Sequence, residues 1–342
     1  MKMKQIVFVL VFLMIVALSS GCINAGRPAV SGPETLPEKS RISIVCTTFP
    51  QYDWVRQILG GKAGEMDLVF LLDNRIDLHN YQPSVGDIVK IQDCDLFIYV
   101  GGESDEWADD VLRQAMNPNM VVINLMDILG EGVKPEEIIE GMEHDEDDHD
   151  SDSVNEDGHD HDEQYDEHVW LSLKNAVILC AAIEGALSSL DAENAEMYRN
   201  NLSAYVEKLA ALDKEYRAAV DAAAVKTLLF GDRFPFRYLA DDYGLEYYAA
   251  FPGCSAETEA SFETIIFLAG KLEELGLENV IVTESADQSI AKTIINNTDS
   301  KDRQILVLDS MQSVTAADAQ GGASYLSIME GNLGVLKTAL GG

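Results

Sequence analysis

The chain has 342 residues, 47% of them apolar, and a formal net charge of -35. Such an acidic chain lacks the basic face of a general nucleic-acid binder and points to cations as partners. About 300 residues lie beyond the N-terminal segment, more than one hydrophobic core usually serves, so two lobes are expected.

Lys2 and Lys4 precede an apolar stretch, Ile6 to Leu18, that is short for a membrane span and reads as an export signal. It ends in Leu18-Ser19-Ser20-Gly21-Cys22, which resembles a bacterial lipoprotein signal with Cys22 as the lipidated residue. The alternative is an ordinary secretory signal cleaved nearby. Residues 23–41, rich in Pro, Gly and polar residues, suit a flexible tether. The body is expected to be soluble, extracytoplasmic and held at the membrane through Cys22.

Ile42 to Thr48 reads as a strand, Gln51 to Leu59 as a helix stopped by Gly60-Gly61, and Met66 to Leu72 as a strand. A turn carrying His79, a helix through Gly86 to Lys90, and strands at Asp95–Val100 and Met120–Leu125 follow. Asn175 to Leu190 is helical. Residues 192–223 carry apolar positions at Leu202, Tyr205, Leu209, Leu212 and Tyr216, the spacing of a long helix able to join two lobes. Strands are then expected at 226–230, 246–251, 279–283 and 305–308. Helices are expected at 236–243, 260–275, 290–296 and 325–340. This alternation predicts an α/β fold of mainly parallel sheets covered on both faces. The lobes are assigned to 42–191 and 224–342, with 192–223 as the linking helix.

All six histidines fall between His79 and His168, and His144, His149, His159 and His161 sit in an acidic low-complexity run. Residues 143–167 are read as a disordered insert, because such a composition buries too little apolar surface to offset ordering entropy. Neutral imidazole is a common transition-metal ligand, and nearby carboxylates concentrate cations. Of the cysteines beyond Cys22, Cys46 and Cys180 lie in apolar segments and read as small buried hydrophobes. No CxxC spacing occurs, and no disulfide is assigned.

Two segments carry the ordered chemistry: Asp77-Leu78-His79-Asn80-Tyr81-Gln82-Pro83 and Asp166-Glu167-His168-Val169-Trp170-Leu171-Ser172. With Thr47-Thr48-Phe49-Pro50-Gln51-Tyr52, Phe251-Pro252-Gly253-Cys254-Ser255-Ala256-Glu257 and Tyr325-Leu326…Met329…Asn332-Leu333, they resemble the cluster A-I (zinc/manganese) substrate-binding lipoproteins of metal ABC transporters. The likeness covers nearly all of residues 42–340. It implies two α/β lobes joined by a long rigid helix, metal bound in the cleft by His79 and His168, a permease partner and a monomeric receptor. The zinc branch carries a His-rich loop like the one here, which favours Zn²⁺ over Mn²⁺ or Fe²⁺.

The resemblance also implies a third ligand, His or Glu, after the first strand of the second lobe. Phe230-Gly231-Asp232-Arg233-Phe234 holds no His there; the position aligns with Gly231 or Arg233. Arginine offers no lone pair. Asp232, a loop His or water is therefore the expected substitute, and Arg233 is a candidate for balancing charge in the cleft. For the fourth position, an acid, both Glu284 and Asp287 are candidates. Two other functions fit parts of the pattern. A zinc hydrolase would use two His, a carboxylate and an open position, but no HExxH or nucleophile motif is present. A degenerate adhesin or accessory lipoprotein would explain the missing third ligand.

Overall fold

The computed structural model describes residues 41–143, 164–255 and 259–341. Cys22 and the four loop histidines, His144, His149, His159 and His161, lie outside the described residues.

The first half builds one sheet from β1 (Ser43–Cys46), β2 (Asp67–Phe70), β3 (Leu96–Tyr99) and β4 (Val121–Asn124). The second half builds another from β5 (Thr227–Phe234), β6 (Glu246–Pro252), β7 (Asn279–Thr283) and β8 (Gln304–Leu308). Their orders are β2-β1-β3-β4 and β6-β5-β7-β8, and every pairing is parallel. The two halves therefore share one winding, with switch points between β1 and β3 and between β5 and β7. In open α/β sheets ligands bind at the carboxyl ends of strands at such points.

In the first half α1 (Phe49–Leu59), α2 (Val85–Asp93), α3 (Trp107–Leu112) and α4 (Leu125–Leu129) accompany the strands; the second has α7 (Arg237–Tyr243), α8 (Phe262–Glu274), α9 (Ser289–Asn296) and α10 (Ala316–Gln320). Between them run α5 (Leu173–Leu190) and α6 (Ala195–Ala222), and α11 (Tyr325–Ala339) closes the chain. At 28 residues, α6 is about 42 Å long. Its buried stripe is Tyr198, Tyr205, Leu209, Leu212, Tyr216 and Val220, near-helical spacing that turns one face to the core.

One apolar core runs through both halves, from Ile44, Trp54 and Phe97 through Trp170 to Phe230, Tyr238 and Tyr325. A second cluster, with Leu268, Leu272 and Ile294, packs α8 and α9 onto the other sheet. Buried polar ties cross the molecule. The Trp170 indole donates to Ser310 O at 2.9 Å, the Tyr325 hydroxyl to Trp170 O at 2.7 Å, and Tyr325 N to the buried Asp53 at 2.9 Å.

Two departures from the expected elements matter for the site. β5 continues to Phe234 rather than stopping at Phe230, through a register shift between Phe230 and Arg233. Such an irregularity re-aims the side chains beyond it. The tail of the acidic run, expected to be disordered to 167, is structured from Gln164. Tyr165 bridges to Pro135, and the carboxylates of Asp166 and Glu167 are buried, each beside an imidazole. Cys46, Cys94 and Cys180 are buried, and Cys254 is partly exposed.

Candidate metal centre

His79 sits in the 3-10 turn Leu78–Asn80 of the loop after β2. Leu78 is buried and anchors the turn, while Asp77 Oδ1 accepts the His79 N–H at 3.1 Å. The ring Nδ1 lies 2.8 Å from Ser104 Oγ and 3.4 Å from Glu167 Oε2. Glu167 is itself fixed, accepting Ser104 N at 2.8 Å. Gly102 makes room for it. Its φ is +80°, and a Cβ there would fall 2.4 Å from Glu167 Oε1.

His168 is fully buried and precedes the 3-10 turn Val169–Leu171. Asp166 Oδ1 accepts both its backbone N–H, at 2.8 Å, and its Nδ1, at 3.0 Å. Both rings thus face acidic or hydroxyl partners at Nδ1 and turn Nε2 toward each other, 3.3 Å apart. A ring bonded through Nδ1–H presents its Nε2 lone pair, the state that binds metal, and a carboxylate behind it raises its basicity. Tetrahedral zinc with nitrogens at about 2.0–2.1 Å separates two of them by about 3.3–3.4 Å. Gln312 Nε2 donates to His168 Nε2 at 3.3 Å.

The electrostatics favour positive charge here. Burial alone would lower the His168 pKa, but Asp166, with Glu167 and Asp77 further off, outweighs it and holds the ring more basic than usual. Burial would raise Glu167, yet hydrogen bonds from His79 and Ser104 keep its carboxyl below the ordinary value. Asp77 is likewise pulled down against burial by Arg233 and His79.

The second half supplies less than the sequence led one to expect. Gly231 packs on α9, where a Cβ would lie 2.7 Å from Ala291 Cα, so no side chain fits. Asp232 turns to β7, accepting Thr283 N at 2.9 Å and the Thr283 hydroxyl. Arg233 reaches across to Asp77 Oδ2 at 2.6 Å and donates to Ser255 O at 3.2 Å, so the acid it pairs with is Asp77 of the first half. Glu284 organises residues 310–313, accepting Ser310 N at 2.8 Å, Ser310 Oγ at 3.0 Å and Gln312 N at 3.1 Å. Asp287 accepts Ser289 N at 2.7 Å and borders a cavity of about 310 Å³ that neither histidine lines. Asp232, Glu284 and Asp287 are not in the group of described ligand atoms that converges with the histidine pair, and their oxygens accept from nearby backbone and hydroxyl donors.

What joins the pair is Cys254, from the loop after β6. Among the described residues, the ligand atoms of His79, His168 and Cys254 lie within 4.8 Å of one another. Sequence reasoning left Cys254 out of the ligand set. The available signal was its place in a polar turn after a strand, unlike the cysteines in apolar runs. Asp309 was also missed. It follows β8, and burial together with the Glu284 charge pushes its carboxyl up to about 6.

Residues 44–339 match the family model described as zinc-uptake complex component A, periplasmic. The chain is 32% identical to the zinc-binding lipoprotein AdcA of Streptococcus pneumoniae over 87% of its own length and 55% of that protein's. It thus spans about half the length of the streptococcal relatives it matches. It is 28% identical to the high-affinity zinc uptake system protein ZnuA of Bacillus subtilis, over 88% of each chain. Its fold superposes on the Zn(II)-bound ZnuA-like domain of the S. pneumoniae protein with a TM-score of 0.66 at 27% identity, covering 88% of this chain and 99% of that one. The match over residues 44–339, on a two-sheet α/β frame that brings two histidines together, places the chain in the family of periplasmic zinc-uptake components.

Proposed function

We propose that this protein is an extracytoplasmic receptor that captures Zn²⁺ between its lobes and delivers it to the permease of a metal ABC transporter. The single observation that carries the reading is the 3.3 Å approach of His79 Nε2 to His168 Nε2, with carboxylates behind both rings. Two lone pairs this close repel unless a cation or proton lies between them. Zinc is cargo here, and Asp166 and Glu167 hold the rings in the metal-binding tautomer. Gln312 withdraws from His168 Nε2 as the ion enters. Cys22 anchors the chain to the membrane through lipid, and residues 42–191, 192–223 and 224–342 act as lobe, linker and lobe. His144, His149, His159 and His161 form weak sites that raise the local zinc concentration and feed the tight one.

Isothermal titration of Zn²⁺ and Mn²⁺ into the demetallated full-length protein, alongside His79→Ala and His168→Ala, tests this. The expected result is one tight zinc site lost in both variants, with weaker loop sites left. Only weak sites, unchanged by either substitution, would sink the proposal.

A further inference from the structure

We propose that Cys254 is the third protein ligand of this site and binds the metal as a thiolate, so that the first half contributes two imidazoles and the second one sulfur. The inference rests on the reading of His79 and His168 as the cargo site. Its first support is the approach of the three ligand atoms within 4.8 Å of one another. Zinc with nitrogen at about 2.0–2.1 Å and sulfur at about 2.3 Å needs an N–S separation of about 3.6 Å, a small side-chain adjustment away.

The second support is how the cysteine loop is held. Cys254 N donates to Glu136 Oε1 at 2.7 Å. Gly253 lies so close to the end of β5 that a Cβ would be 2.8 Å from Phe234 O and 3.4 Å from Asp166 Oδ2, the carboxyl group that orients His168. On the other side Arg233 grips Ser255 O and Asp77, and Asp77 caps the His79 turn. Arg233 thus ties the cysteine loop directly to the turn that carries the first histidine. The third support is elimination on the page. Gly231 has no room for a side chain and Arg233 cannot ligate, so neither position aligned with the expected third ligand supplies one. The other three described cysteines are buried in the apolar core that runs through both halves.

On binding, the Cys254 S–H bond breaks, its proton passes to solvent, and the sulfur lone pair bonds the metal; one proton is released per ion from this residue. A thiolate is a soft donor that suits zinc and is a poor partner for Mn²⁺, which prefers oxygen. The cysteine therefore sets metal choice as well as affinity.

The probe is Co²⁺, added to the demetallated full-length protein in detergent and followed by absorption. We expect a near-ultraviolet sulfur-to-cobalt charge-transfer band in the wild type that vanishes in Cys254→Ser. Zinc affinity in that variant should fall by at least the ~10–100-fold that loss of an outer-shell partner already costs, with manganese affinity changed less. Because the band is read on the wild type, a variant that folds poorly leaves the test intact. Zinc should also protect Cys254 from alkylation, located by mass spectrometry. Cobalt bound in a His79-dependent manner without the band would overturn the cysteine ligand and leave the receptor standing. No His79-dependent cobalt binding would overturn both.

Discussion

The carboxyl-end rims of the two sheets share a winding but differ in what their acids do. On the first, Asp166 and Glu167 are buried against imidazoles whose Nε2 atoms face each other. On the second, Asp232 and Glu284 accept from backbone N–H groups and hydroxyls of neighbouring loops. The difference teaches that acids near a site can serve the ligand rings on one rim and the fold of the loops on the other. A buried N–H left without its acceptor costs about 1–3 kcal/mol, a strong reason for such a carboxylate to stay where it is.

The sharpest way to break this comparison lies within the first rim. His168→Ala leaves Asp166 as a buried charge without its partner, so it should destabilise the protein by about 3–5 kcal/mol in denaturant melts. His79→Ala, in a part-exposed turn, should cost far less stability while abolishing tight zinc binding equally. Equal destabilisation by both would mean the Asp166 pairing is not what fixes the first rim. Glu167→Gln comes next. It removes the charge behind His79 and should lower zinc affinity by about 10–100-fold in titration calorimetry, without abolishing the site.

On the second rim Asp309 offers a pH test. Its carboxyl is raised to about 6 in the folded state by burial and by Glu284. Between its unfolded value of about 4 and that folded value, the native state binds the extra proton, so this group's stabilisation is present at low pH and fades as pH rises. Asp309→Asn should therefore flatten the fall in stability between about pH 4 and 6, by on the order of 2 kcal/mol, in melts across that range. An unchanged pH slope would show that Asp309 is not strained by its neighbour. The smallest effect belongs to Asp287→Asn: zinc affinity should stay within about twofold and stability within about 0.5 kcal/mol. A large loss of zinc binding would return Asp287 to the ligand set.

The strands were legible because their apolar runs are short and bounded; Leu96–Tyr99 lies inside the expected Asp95–Val100, and Asn279–Thr283 falls where expected. The long helix was legible from its repeating Tyr and Leu positions. Helices of five residues, Leu125–Leu129 and Ala316–Gln320, were not, since one turn holds too little periodicity and their caps, Asn124 and Thr315, look like any loop residue. At the site, His79 and His168 stood out through their segments. The second-rim assignments did not, because they depend on partners remote in sequence. Asp232 finds Thr283, Glu284 finds Ser310, and Cys254 meets histidines from the other half of the chain. No local pattern encodes which donor a loop acid will meet.

The continuous core and the ties at Trp170 and Tyr325 also have a mechanical side. Trp170 is two residues from His168, and its indole holds the loop that Glu284 organises. A wide swing of one half against the other would tear that contact and wet the apolar seam along α6. Ion entry that keeps this seam dry is left to side chains at the metal centre, such as Gln312, whose Nε2 lies 3.3 Å from His168 Nε2.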